Sequence, residues 1–284
     1  MLPLPEYMPA LITPFTQRGE IDLKAHTHNM RVLADRGIRG FVIGGSNGEG
    51  PYLEPGERER LVKAGRRRKS HFMVGIAAES TRTALKQVAE ATEGGADSLL
   101  VLTPTTLSRG RDDAVVDFYR AVADTAKVPV ILYSVPSVTA YSLPLELVAR
   151  LSRHDNIIGM KDSSGDVVRL QSIVDTTPGD FVLYSGASRA LTAAMAVGCY
   201  GAITGSGNYA PELVLKTLAT AKASPADARK DQKRLSNLSA EVEAHGVPGV
   251  KAAARAAGLE PGYPRQPLTR LSRGVETSIA KLIS

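Results

Sequence analysis

Short apolar runs alternate with amphipathic stretches along most of this 284-residue chain. The runs are ALIT (10–13), GFVIGG (40–45), FMVGIA (72–77), SLLVLTP (98–104), VPVILYSVP (128–136), NIIGMK (156–161), FVLYSG (181–186) and YGAITGS (200–206). All are short and rich in Val, Ile and Leu, the pattern of strands buried on both faces of a parallel sheet. Helical spacing fills the gaps, as in LKAHTHNMRVLADRG (23–37) and TRTALKQVAEATEGG (81–95). The second stretch puts Ala84, Leu85, Val88 and Ala91 on one face and stops at Gly94-Gly95. Asp22, Ser80 and Thr81 stand where helix N-caps belong.

Eight strand candidates, each followed by a helix candidate, predict an α/β fold: a closed (β/α)8 TIM barrel over residues 1–224. An open doubly wound sheet is the alternative, but no GxGxxG follows the first run. From residue 225 onward only helical patterns remain: ADARKDQKRLSNLSAEVEAH, VKAAARAAG and LTRLSRGVETSIAKLIS. Residues 225–284 are therefore expected to form a C-terminal helical extension packed on the barrel.

Composition narrows the class. A single Cys excludes an intramolecular disulfide framework and a four-thiolate zinc site. No apolar stretch approaches the roughly 18–20 residues of a membrane span, and MLPLPEYMPALITPF lacks the basic and long apolar segments of a signal peptide. The expectation is a soluble cytoplasmic protein with no membrane partner. Lys and Arg number 35 against 29 acidic residues, a formal charge of +6. Most of the excess is scattered, and the one dense run, Arg66-Arg67-Arg68-Lys69, reads as the solvated end of a helix, where cations suit the dipole. No nucleic-acid partner is expected, whereas an anionic small molecule is compatible with this balance. None of the five histidines falls at a strand end beside a second ligand, so no metal is expected. Cys199, between Gly198 and Tyr200 at a strand start, reads as buried packing.

In a barrel the functional groups belong at the C-terminal strand ends. Lys161 ends the apolar run Ile157-Ile158-Gly159-Met160, so its stem begins inside the barrel. Desolvation disfavours an ammonium ion and would free the amine to attack a ketone; a lysine snorkelling out past the strand end is the other reading. Tyr133 offers a phenol that could relay protons, or else one that simply packs in the core. The loop Gly44-Gly45-Ser46-Asn47-Gly48-Glu49-Gly50 can turn tightly and aim N–H groups at an anion. Ser46 and Asn47 add donors there, and the absence of a following Lys-Ser/Thr favours a carboxylate over a phosphate; a glycine-rich turn with no ligand is the other reading. Glu49 reads as a brace for the loop.

Taken in order, TPF (13–15), GSNGE (45–49), TP (103–104), YSVP (133–136), GMKDSSGD (159–166), SG (185–186), GAITG (201–205) and the terminal VPGVKAAARAAG with RQPL (265–268) resemble the dihydrodipicolinate synthase / N-acetylneuraminate lyase family of pyruvate-type class I aldolases. The resemblance implies a cofactor-free lyase that is usually a homotetramer, a dimer of dimers. It implies that Lys161 forms a Schiff base with a 2-oxo acid and that Tyr133 transfers protons. It further implies that Ser46 and Asn47 bind the 2-oxo acid carboxylate, and that Ile203 contributes backbone near the keto acid.

GSNGEGPYL, LYSVP and GMKDSSGDV look most like the 4-hydroxy-2-oxoglutarate aldolases, which cleave to pyruvate and glyoxylate. Ser163 resembles their serine two residues after the lysine. Synthases of the family generally carry Arg two residues after the YxVP motif, where this chain has Val138. Sialic-acid lyases usually place an acidic pair after SG, where this chain has Ala187-Ser188-Arg189. Arg189 is thus a candidate for a distal substrate carboxylate, against the alternative of an exposed arginine on a first helical turn. Thr105-Thr106-Leu107 stand where the family usually has aromatics, one of which completes a proton relay from a neighbouring subunit. Other readings left open are a 4-hydroxy-tetrahydrodipicolinate synthase, a 2-oxo-3-deoxy-sugar-acid aldolase or dehydratase, and a catalytically weak paralogue that binds 2-oxo acids.

Overall fold

The computed structural model describes residues 3–66 and 70–283. Among these residues eight strands pair in parallel: β1 (Tyr7–Pro9), β2 (Gly40–Ile43), β3 (His71–Ile76), β4 (Ser98–Leu102), β5 (Val130–Ser134), β6 (Ile157–Asp162), β7 (Val182–Ser185) and β8 (Gly201–Thr204). Each strand from β2 to β7 neighbours its sequence successor, and β8 pairs with β1. A parallel bridge between Ala10 and Val42 joins the remaining edges, and Leu11 N donates to Val42 O at 3.0 Å. Continuous neighbour order with a closing bridge is a TIM barrel and excludes the open doubly wound sheet, which reverses its strand order partway across.

The first strand departs from expectation. The run ALIT (10–13) is not the strand; β1 is Tyr7–Pro9, in register with Ala202, Ile203 and Thr204. Beyond Ala10 the chain leaves the sheet: Ile12 N donates to Asn208 Oδ1 at 3.1 Å and the Thr13 hydroxyl to Gly48 O at 2.7 Å. Leu11 and Ile12 are apolar because they are buried under the rim, and past the single bond from Leu11 N to Val42 O neither extends the ladder. Strand and buried loop share one apolar signal, and periodicity cannot separate them.

The caps follow the sequence more closely. Asp22 Oδ1 accepts from Ala25 N and Ser80 Oγ from Thr83 N, so both are N-caps, while Thr81 is the first residue of its helix. Gly95 closes that helix at φ +95°, in the left-handed region that glycine reaches without a Cβ clash. Arg66 lies just past the end of the helix Glu57–Gly65, where it grips the Asp97 carboxylate bidentately at 2.6 and 3.0 Å. It is thus a paired cation and not only a solvated one; Arg67, Arg68 and Lys69 lie outside the described residues.

Strand parity sorts the two cores. Met8, Val42, Met73, Leu100, Ile131 and Ile203 pack together within the barrel. Phe41, Phe72, Leu99 and Leu132, one residue out of step, pack against the surrounding helices. The chain continues into the helices Arg229–Glu243, Gly246–Ala256 and Arg273–Ile283. Gln232 fastens the first of these to the rim after β7, accepting from Thr192 N at 2.9 Å and donating to Ser188 O at 3.1 Å. Among the described residues no helix is long and apolar enough to cross a membrane.

The tightest link between these helices and the barrel is a buried ion pair. Lys251 Nζ lies 2.6 Å from Glu49 Oε1, with both side chains almost wholly inaccessible. Glu49 Oε2 also accepts from Arg265 N at 2.7 Å, and Lys251 donates to Tyr263 O at 2.6 Å. Burial pulls the Lys251 ammonium down to about 8, against the opposing pull of Glu49. Glu49 is the brace expected from the sequence, and its partner comes from about two hundred residues further along the chain. Breaking such a pair strands a charge in low dielectric, so Lys251→Met should destabilise the fold by about 3–5 kcal/mol. Chemical denaturation checks this. The double variant Lys251→Met/Glu49→Gln should recover part of the loss, because no uncompensated charge remains buried.

Candidate active site

The register between β5 and β6 brings the two sharpest candidates together. Tyr133 pairs directly with Lys161, and Lys161 with Tyr184 on β7. Because Ile131 and Tyr133 face the barrel interior, the paired Gly159 and Lys161 do too, while Met160 packs outward with the helix-facing core. Lys161 is therefore not a snorkelling lysine: it is 4% exposed, and its Nζ lies 4.2 Å from the Tyr133 ring centroid. Glycine at 186 makes room for it. A Cβ there would lie 3.0 Å from Lys161 Cε and would overlap the Ser163 side chain.

Tyr133 is also buried, and its hydroxyl lies 3.2 Å from Ser46 Oγ. Burial alone would raise the phenol. The Lys161 charge and hydrogen bonding with Ser46, Lys161 and Ser163 outweigh it and hold the phenol below its usual value of 10. Three polar side chains, from the loop after β2, from β6 and from the turn after β6, thus converge on one phenol. Asn47, next to Ser46, lies against Gly205, where a Cβ would come within 2.9 Å of its Nδ2. The loop reaches this position through Gly44 at φ +68° and Glu49 at φ +54°, the second held by its ion pair with Lys251.

Behind the site, Asp162 faces outward and is fully buried, with Arg169 Nε at 2.8 Å from its Oδ2. Asp162 Oδ1 also accepts from Ser164 N at 2.9 Å, and Arg169 donates to Leu143 O at 2.6 Å. These contacts fix the turn that follows Lys161.

A cavity of about 820 Å³ opens at this rim, large enough for a small metabolite with room to spare. Every residue proposed from the sequence borders it: Ser46, Asn47, Tyr133, Lys161, Ser163, Arg189 and Ile203. Val138 borders it too and is largely exposed. Thr105, Thr106 and Leu107 do not line the cavity of their own chain. The backbone N–H groups of Thr105 and Thr106 donate to Glu79 Oε2, and the Leu107 side chain is open to solvent. Cys199 is buried away from the cavity with its thiol pushed up to about 12, an inert packing residue.

The cavity also carries polar groups that were not anticipated. Ser188 and Glu243 both border it, with Ser188 Oγ 2.8 Å from Glu243 Oε1. Glu243 ends a highly charged helix in which nothing marks one carboxylate from the next. Only the helix's docking on the rim after β7 singles it out.

Comparison with known proteins agrees with this geometry. The Dihydrodipicolinate synthetase family model matches residues 4–284, and the chain belongs to that family of pyruvate-type aldolases and lyases. It is 31% identical to a 4-hydroxy-tetrahydrodipicolinate synthase of Methanosarcina barkeri, covering 97% of this chain and 94% of that protein. Among solved structures, a dihydrodipicolinate synthase of Bacillus anthracis superposes with a TM-score of 0.93 at 26% identity, covering 100% of this chain and 98% of that one. A chloride-inhibited dihydrodipicolinate synthase of Acinetobacter baumannii, solved with pyruvate bound, gives 0.91 at 27% identity over 98% of this chain and 97% of that one.

The convergence on Tyr133 makes a measurable claim. Tyr133→Phe keeps the ring over Lys161 and removes only the hydroxyl. It should leave the fold intact and lower turnover about 10²–10⁴-fold, the span of a general acid–base group. Circular dichroism and steady-state kinetics check both halves. An unchanged rate would pass the proton role to Ser163 or water.

Proposed function

We propose that this chain is a Schiff-base-forming 2-oxo acid lyase of the 4-hydroxy-2-oxoglutarate aldolase type, yielding pyruvate and glyoxylate. The observation that carries this reading is a buried lysine amine set against a phenol that is hydrogen-bonded to Ser46, on the wall of the cavity. The Lys161 amine adds to the C2 ketone, and loss of water leaves a protonated ketimine. This imine is the electron sink: the C3–C4 pair flows into it as the 4-hydroxyl loses its proton and the aldehyde departs. Protonation of the enamine at C3 and hydrolysis then release pyruvate and restore the amine. Tyr133, polarised by the adjacent ammonium and by Ser46, would carry the protons, with Ser163 beside it. Ser46 and Asn47 would hold the C1 carboxylate, and the Ile203 backbone the keto-acid face. Neither a cofactor nor a metal enters this scheme. The reading includes a cytoplasmic homotetramer, a dimer of dimers.

A second reading, the 4-hydroxy-tetrahydrodipicolinate synthase, is favoured by the names of the relatives. Val138 speaks against it, because an exposed apolar side chain stands at the cavity where those enzymes generally carry a guanidinium. A 2-oxo-3-deoxy-sugar-acid aldolase or dehydratase, and a weakly active 2-oxo acid-binding paralogue, are separated from the first reading by a substrate panel.

Borohydride reduction in the presence of pyruvate, followed by peptide mass analysis, should place a pyruvyl adduct on Lys161. An unmodified Lys161 would remove the whole class of mechanism. Turnover should then be highest with 4-hydroxy-2-oxoglutarate in a panel that includes aspartate semialdehyde and 2-oxo-3-deoxy sugar acids. Arg189 lies on the cavity wall in the turn Ser188–Ala190 and pairs with no carboxylate within 4 Å among the described residues. Arg189→Ala should raise KM for the dicarboxylate while leaving the pyruvyl adduct unaffected. Identical kinetics in variant and parent would return Arg189 to the surface.

A further inference from the structure

The cavity holds a second polar cluster that the Schiff-base chemistry does not use. Glu243 Oε1 lies 2.8 Å from Ser188 Oγ and 3.3 Å from Tyr209 Oη. Ser188 Oγ is in turn 3.0 Å from Ser206 Oγ, which is 2.8 Å from Thr204 Oγ1, and Thr204 Oγ1 is 3.2 Å from Tyr7 Oη. All these hydroxyl-bearing residues are buried. They form a chain of hydroxyls running from Tyr7, in the layer between strands and helices, to one oxygen of one carboxyl group.

The other oxygen is different. Glu243 Oε2 takes no hydrogen bond from a described residue, and the side chain borders the cavity with its surface open to it. The residue as a whole is exposed, so its carboxylate can stay charged with no cation beside it and is open to a ligand in the cavity. Glu243 has no cation within 4 Å among the described residues. Its surroundings raise the carboxyl above the usual range, offset in part by Ser188 and Tyr209, and by the more distant charges of Arg189 and Lys161. Arg189 and Glu243, both on the cavity wall, therefore interact at a distance without touching. Opposite charges held apart on one wall are complementary to a ligand that fits between them.

We propose that Glu243, oriented by Ser188, is a specificity-determining residue that accepts the hydrogen bond of the hydroxyl on the departing half of the substrate. With Arg189 forking onto a carboxylate and Glu243 accepting from a hydroxyl, the subsite is complementary to a hydroxy acid fragment. Such a fragment is the distal half of a 4-hydroxy-2-oxo diacid. A carboxylate accepts but cannot donate, so a 2-oxo diacid lacking the hydroxyl gains nothing from Glu243 and meets its charge unpaired. The assignment rests on the lyase reading above and adds the element that selects the hydroxylated substrate.

The test uses the full-length protein and two ligands that differ by one oxygen: 4-hydroxy-2-oxoglutarate and 2-oxoglutarate. Borohydride trapping on Lys161 is followed against ligand concentration, with pyruvate as the reference. The parent should be half-saturated by the hydroxylated acid at a concentration at least about tenfold lower than by 2-oxoglutarate, the span a lost hydrogen bond to a charged group produces. Glu243→Gln keeps the shape and the Ser188 contact but removes the charge. It should shrink that preference to about twofold or less while leaving half-saturation by pyruvate within twofold, which also reports an intact fold. Ser188→Ala should weaken the preference in the same direction. A preference that survives in Glu243→Gln, or a parent without one, overturns the assignment while leaving the Schiff base standing. A parent with no adduct on Lys161 overturns both.

Discussion

The register between β5 and β6 is the constraint on which the site depends. In a parallel ladder, residues directly paired share a face, so pairing Tyr133 with Lys161 commits both to the barrel interior at one level. A slip of one residue would turn Lys161 into the helix layer and bring Met160 or Asp162 inward. Several features agree with the register seen. Gly159 leaves space for Val182 on the next strand, Gly186 leaves space for the lysine stem and Ser163, and Asp162 finds its cation, Arg169, on the outer side. The lysine is thereby desolvated beside a phenol whose proton affinity its own charge lowers.

The opposite side of the site is built differently. Ser46 and Asn47 sit on a loop with two left-handed residues, Gly44 and Glu49, and such a backbone holds its shape only when its surroundings determine it. Here the Glu49–Lys251 pair supplies that determination, aided by the Arg265 N–H. The helices after the last strand thus serve the loop that lines the cavity opposite the buried Lys161 amine, and they also deliver Glu243 to the cavity. Chemistry that belongs to strand ends is completed by a segment outside the repeating strand–helix pattern.

Charge is distributed across the cavity by function of place. At its floor, one cation and several hydroxyls surround the position where a ketone would react. Farther from the amine, Arg189 and Glu243 stand apart with Val138 nearby, a mixture of cation, anion and apolar surface.

Much of this was legible in the chain. Eight apolar runs specified a parallel barrel because both faces of such a strand are buried, and the ordered motifs identified the lysine, the tyrosine and the glycine-rich loop. Glu49 was recognisable as a brace, and Asp22 and Ser80 as caps, since these roles depend on neighbours in sequence. The first strand was misplaced by three residues, because ALIT and YMP are equally apolar and only the pairing with β8 tells strand from buried loop. Arg66 read as solvated until Asp97 was brought beside it. Ser188 and Glu243 were invisible. One is a serine in a short turn, the other a glutamate on a polar helix, and a residue's meaning there lies in which elements dock together. Local pattern determines what each segment becomes; long-range packing alone decides which side chains meet, because those contacts join residues whose separation along the chain carries no periodic signal.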